Sequence, residues 1–128
     1  PTPILLVTKD TELNFTLWRD TRKLLVIAPT KPAALPKNAI WIGLKPILAD
    51  TISELLKFNI NSILIEGGSK THQYFIDENL WDELRVSKSK MTIKTGIKAA
   101  SWGQQTASFE TVQNDNVVNY FFNNRQDQ

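Results

Sequence analysis

Glu66, Gly67, Gly68 and Ser69 follow one another where a short apolar run gives way to a polar stretch. One acid and two glycines at the junction of a strand and a helix suit a particular chemistry. Glycine admits positive φ and lets a ligand approach the backbone closely. A serine at the helix start offers an N-cap hydroxyl. The first helical turn presents unpaired N–H groups and the positive end of a dipole, which favour an anion such as phosphate. The same residues also suit a plain turn, with Glu66 capping the nearby helix or facing water. The pattern is neither the G-x-G-x-x-G dinucleotide fingerprint nor a Walker A loop, so neither of those phosphate-binding mechanisms is implied.

Other catalytic chemistry is poorly supplied. The chain has one histidine, His72, and no cysteine, which excludes disulfides, thiolate metal sites and cysteine nucleophiles. No catalytic triad and no metal site are expected. A lone histidine on a helix is ordinarily structural or exposed, and Gln73 and Tyr74 beside it read equally well as ordinary helix residues.

Several elements must position the turn. Ile63, Leu64 and Ile65 are apolar with two β-branched members, which predicts a strand over 62–65 buried on both faces. Apolar runs over 4–7, 23–28 and 39–43 predict three earlier strands, and the three prolines within 29–38 predict a loop between the second and third. Asp10 and Asn14 are turn formers after the first strand. Asp50 or Thr51 is expected to cap a helix, Thr51 and Glu54 having capping-box spacing; Ile52, Leu55 and Leu56 would supply its buried stripe and Asn59 its stop. A right-handed crossover would then join 39–43 to a parallel strand at 62–65. Leu84 and Val86 alternate with polar neighbours, as in a strand with one wet face, whereas 91–103 gives no clear pattern. Residues 109–113 and 117–122 predict a hairpin with Asn114, Asp115 and Asn116 at its tip, and the polar end from Asn123 onward is expected to fray.

The stretch from Ile63 to Arg85 resembles the reductase domain of the bifunctional riboflavin-biosynthesis deaminase/reductase. A strand at 63–65, the Glu66-Gly67-Gly68 turn, a helix over 69–77 and a strand opening at Trp81-Asp82-Glu83-Leu84-Arg85 occur in that family's order and spacing. The remaining strands agree more loosely, so the resemblance spans nearly the whole chain but is specific only in this part. It implies an α/β, dihydrofolate-reductase-like three-layer fold, with a mixed, mostly parallel sheet and a C-terminal β-hairpin. It further implies an NADPH-dependent reductase that converts the ribosyl group of 5-amino-6-(5-phosphoribosylamino)uracil to the ribitylamino product. By the same resemblance Glu66 meets the substrate, while Gly67, Gly68, Ser69, Lys70, Thr71 and Tyr74 meet the cofactor. Thr8 and Lys9 fall where the family meets the adenosine 2′-phosphate, a group that favours charge-assisted donors.

The family's domain is longer, and its opening strand and a later substrate-binding segment have no counterpart here. The fold is therefore expected to be incomplete: residues 1–123 would be the C-terminal part of one reductase domain, with 124–128 a polar tail. Alone, it would lack activity. A homodimer is implied by analogy. Two other readings share the same residues: a related NADPH reductase with a different substrate, and a noncatalytic ligand-binding or dimerisation module.

Composition sets the frame. At 128 residues, 41% hydrophobic and 22% charged, the chain suits one globular domain. No apolar run approaches the ~20 residues that span a bilayer, and no signal peptide is evident at the start, so a cytoplasmic protein without membrane contact is expected. A net charge of +2 is too small to imply nucleic acid. The basic stretch Arg85, Lys88, Lys90, Lys94 and Lys98 reads as a solvated face.

Overall fold

Leu24–Ala28 is a strand of five apolar residues, all buried, and the first half of the chain is built around it. The structure, a computed structural model, describes residues 1–9, 23–103 and 106–124. Those residues fall into two compact units, Pro1–Ile63 and Leu64–Gln128, each described by itself.

In the first unit, β1 (Ile4–Leu6), β2 (Leu24–Ala28) and β3 (Ala39–Gly43) form a parallel sheet in that order. Leu5 lies opposite Val26, and Val26 opposite Trp41. The two-residue period of a strand divides the apolar run of β2 between two faces. Leu24, Val26 and Ala28 pack with Leu5, Val7, Leu35, Ala39 and Trp41. Leu25 and Ile27 pack on the other side with Ile42 and Leu55, flanked by Ile52, Phe58 and Ile60. Because both faces are covered, β2 needs no polar alternation. The proline-rich loop closes onto β3 through the Ala39 N–H, which donates to the Pro36 carbonyl at 3.0 Å. The loop's Leu35 joins the first cluster.

The helix after β3 differs from its sequence expectation at its start. α1 spans Leu48–Glu54, with Ile47 at the cap position and no side-chain cap, and continues as a 3-10 turn over Leu55–Phe58. Thr51 is not a cap: it is fully buried, and its hydroxyl oxygen accepts the Lys45 N–H at 2.8 Å. Glu54 does not reach back to a cap but pairs with Lys45 and Lys57. Lys45-Pro46 precedes the helix, and binding the Lys45 amide draws Thr51 inward. This shift rotates the buried stripe to Leu48, Thr51 and Leu55, leaving Leu56 61% exposed. Asn59 does end the element, in the left-handed conformation at φ 58°.

The expected strand at 62–65 does not form. Ile63 is 38% and Leu64 78% exposed, and no strand among the described residues pairs with them. Three apolar residues carry too little periodicity to specify a ladder by themselves, and strand formation needs a neighbour for the backbone groups. The expected parallel crossover from β3 is absent with it.

The second unit contains α2 (Ser69–Asp77), β4 (Glu83–Lys88), β5 (Phe109–Gln113) and β6 (Asn116–Phe122), with the strands antiparallel in the order β4-β6-β5. Gln113 pairs with Asn116, so the hairpin loop is Asn114-Asp115 alone, at φ 49° and 64°. Two successive left-handed residues match the right-handed twist of the strands, and Asn and Asp tolerate that conformation. Phe75, Val118 and Phe121 are the buried hydrophobics of this unit among the described residues, and the Trp102 ring lies 5.3 Å from that of Phe121. Asn123, expected to fray, is held: its N–H donates to the Asp82 carbonyl, and its side-chain amide donates to Asn79 Oδ1 and the Trp81 carbonyl. A polar residue beside a turn thus takes its share of that turn's backbone hydrogen bonding by donating to its carbonyls. The turn expected at Asp10 and Asn14 and the last residues of the tail, 125–128, lie outside the described residues.

Candidate functional site

The turn before α2 brings Glu66, Gly67, Gly68, Ser69, Lys70 and Thr71 together in the second unit, with Tyr74 one turn further along the helix. Glu66, Gly67, Gly68 and Lys70 are exposed, whereas Ser69, Thr71 and Tyr74 are half-buried. Gly68, not Ser69, occupies the helix cap position, at φ −72° and ψ 174°, and Ser69 is the first helical residue without a side-chain cap bond. The Gly68 carbonyl accepts the N–H groups of Thr71 and His72 at 3.0 and 3.1 Å, which closes the first turn directly.

Neither glycine of the pair takes the positive φ that the sequence reading allowed for. Space is the reason for Gly67 instead. A Cβ there would lie 2.6 Å from the Thr71 Cβ and 2.9 Å from its Cγ2, inside contact distance. At Gly68 a Cβ would meet nothing within 4 Å, so the protein itself leaves that position open.

Two side chains that the sequence reading treated as ordinary helix residues fix this corner. His72 donates from Nε2 to the Ile65 carbonyl at 3.0 Å, tying the residue before Glu66 to the helix. Gln73 binds the backbone of Ser101 twice, donating to its carbonyl at 3.0 Å and accepting its N–H at 2.8 Å, and also donates to Asp77. Phe75 supplies the buried side of the helix. His72 follows Ile65 closely enough for a helix to return it to the turn, and that spacing is a usable signal. No sequence signal links Gln73 to Ser101, 28 residues away.

Thr8 and Lys9 belong to the first unit. Both are exposed, just past the carboxyl end of β1, where the Val7 N–H still donates to the Ile27 carbonyl at 2.8 Å. Ligands of open α/β sheets bind outside the carboxyl ends of strands.

The donor set of the turn suits phosphate: the first turn of α2, the hydroxyls of Ser69 and Thr71, and the Lys70 ammonium. Among the described residues no group of three or more His, Asp or Glu is placed to hold a metal ion. No helix among them is long and apolar enough to cross a membrane.

A parallel sheet of apolar strands in the first unit, and a glycine turn opening a helix with a C-terminal antiparallel hairpin in the second, make this an α/β protein. The sequence matches the RibD C-terminal domain over residues 2–89, well over half of its length. The chain belongs to that family. Among solved structures it is similar to the riboflavin biosynthesis reductase Rib7 of Saccharomyces cerevisiae, in a structure concerned with that enzyme's reduction mechanism. The match has a TM-score of 0.70 at 16% identity and covers 94% of this chain and 68% of that one. Likeness at that identity establishes the fold. Curated proteins gave no significant match.

Proposed function

We propose that this chain is the C-terminal part of a reductase domain of riboflavin biosynthesis, and that the whole domain binds NADPH and acts on 5-amino-6-(5-phosphoribosylamino)uracil, reducing its ribosyl group to the ribitylamino product. Membership of the RibD C-terminal domain family supports the reductase part. The observation that carries the cofactor part is the opening of α2, where Gly68 is open to approach and the donors from Ser69 to Thr71 follow it. When bound, NADPH supplies the hydride; the protein's own contribution is to bind and orient. Gly67, Gly68, Ser69, Lys70 and Thr71 hold phosphate oxygens, with Tyr74 beside them. Glu66, an exposed carboxylate at the same turn, accepts hydrogen bonds from hydroxyl and amino groups of the substrate. No side chain is assigned a catalytic proton transfer.

Thr8 and Lys9 are proposed, within the first unit, as contacts for the adenosine 2′-phosphate. Lys9→Gln is then expected to weaken NADPH about tenfold while leaving NADH unchanged, as loss of one charge-assisted hydrogen bond does. Such an enzyme works in the cytoplasm, with a second copy of the chain as its partner.

Titration of the chain with NADPH, read by tryptophan fluorescence, tests the proposal. Saturable binding that Glu66→Gln leaves intact, together with loss of turnover when Glu66→Gln is made in the longer protein that carries the whole reductase domain, is the expected result. Absence of NADPH binding would remove the cofactor assignment, and undiminished turnover by Glu66→Gln would remove Glu66 from the substrate site.

A further inference from the structure

The reductase reading leaves one histidine unused, and the structure gives it a specific partner. His72 lies in the first half of α2, half-buried, and its Nε2 stands 3.0 Å from the Ile65 carbonyl oxygen. A carbonyl only accepts, so the ring must carry its proton on Nε2. That bond fixes the residue immediately before Glu66 to the body of the helix. One residue earlier, Thr71 lies so close to Gly67 that no side chain fits between them. The turn is therefore held on both sides of Glu66: upstream by a hydrogen bond from His72, downstream by contact between Gly67 and Thr71. Residues 62–65 form no strand, so no sheet ladder fixes Glu66 from upstream. The His72 bond takes over that task.

We infer that His72 is a positioning residue for the Glu66-Gly67-Gly68 turn, acting through the Ile65 carbonyl to set where the Glu66 carboxylate and the Gly68 backbone stand. The role requires no contact of His72 with substrate or cofactor. The inference rests on the proposed reductase reading for the consequence in ligand binding, but the bond itself does not depend on that reading. The geometry makes the role selective among side chains. Glutamine places an amide N–H close to where imidazole Nε2 lies, asparagine falls short of it, and phenylalanine keeps the ring without the donor.

Two measurements on the full chain separate the parts. In nitrogen-15 and carbon-13 spectra of the unaltered protein, the His72 ring is expected as the Nε2–H tautomer, with the Ile65 carbonyl carbon shifted in the manner of a hydrogen-bonded acceptor. An Nδ1–H ring would overturn the inference whatever the protein binds. Next, NADPH is titrated against His72→Gln, His72→Asn and His72→Phe, each first checked for native circular dichroism. The expected pattern is affinity within about twofold of the parent for His72→Gln and about tenfold weaker binding for the other two, the scale of one lost hydrogen bond. The amide signals of Glu66 and Gly67 should move in His72→Asn and stay in His72→Gln. Equal affinity in all three variants would sink the positioning role. If the parent itself binds no NADPH, the proposed function falls and takes the ligand-binding consequence with it, while the ring tautomer still decides whether the clasp exists.

Discussion

Gly67 and Gly68 are neighbours of one residue type under different constraints. Gly67 is fixed by the fold: the Cβ of an alanine there would stand 2.6 Å from the Thr71 Cβ, an atom that cannot swing aside as the end of a long side chain would. Gly67→Ala is expected to cost about 1–3 kcal/mol, the usual cost of overpacking, seen as a lowered unfolding midpoint. Gly68→Ala meets open space at a φ that alanine adopts freely. Its poorer capping and its restriction of the unfolded chain act in opposite directions, each by roughly 0.5–1 kcal/mol, so stability should hardly change. NADPH affinity should nonetheless fall, because the added methyl occupies the space through which a phosphate approaches. A fall in stability without loss of affinity would contradict that division of roles. Thr111 shows a different constraint on a single residue. Its hydroxyl oxygen is buried without a hydrogen-bond partner among the described residues. Thr111→Val keeps the shape and strand preference while removing the unsatisfied group, and it should raise stability by about 1 kcal/mol in urea unfolding.

At the level of elements, α1 shows both what sequence patterns convey and where they stop. Its existence and its end at Asn59 followed from the apolar spacing and from asparagine's tolerance of positive φ. The capping box at Thr51 and Glu54 matched in spacing only, since the Lys45 amide claimed the threonine hydroxyl and the two lysines claimed the glutamate. β2 and the hairpin were legible because local chemistry decided them: an apolar run in one, a pair of residues suited to left-handed conformations in the other. The segment at 62–65 was not, because a strand depends on a neighbour that the residues themselves do not encode. At the turn, the order Glu66-Gly67-Gly68 and the helix 69–77 were legible, while the bonds of His72 and Gln73 were hidden in tertiary contacts. The competition for Glu54 has a measurable result. Hydrogen bonds from Lys45 first, and then Lys57, lower its carboxyl from 4.5 to about 2. A depressed carboxyl contributes stability that is present above its unfolded value and lost as pH falls through the folded one. The parent and Glu54→Gln should therefore differ in unfolding midpoint above about pH 4.5 and converge as pH drops toward about 2. The same bond raises Lys45, whose contribution is present below 10.5 and fades as pH climbs past its raised value. A difference that persists unchanged at pH 2 would exclude this account.

Across the whole molecule, apolar burial is unevenly shared. The first unit buries Leu24, Leu25, Val26, Ile27, Ala28, Ile42, Leu48 and Leu55, and the second buries Phe75, Val118 and Phe121. The second unit also exposes Leu64, Met91, Ile93, Ile97, Phe109, Val112 and Phe122, against Ile40, Ile47, Leu56 and Ile63 in the first. Each fully buried large aliphatic side chain contributes about 1.5–3 kcal/mol, so the two sheets should open at different free energies. β2 is a central strand with both faces covered, and its amides can exchange only when the sheet around it opens. Among the described residues β5 is an edge strand, mostly exposed, with Val112 73% accessible, and no second strand among them shelters its outward amides. Hydrogen exchange under native conditions should therefore rank β2 slowest, β6 intermediate and β5 fastest. In low denaturant, the β4-β6-β5 sheet should lose protection first while β2 keeps it. Equal protection of β2 and β6 across a denaturant series would mean that the two units unfold as one. The stability of the Glu66 turn would then follow the core of the first unit instead of the weaker sheet in its own.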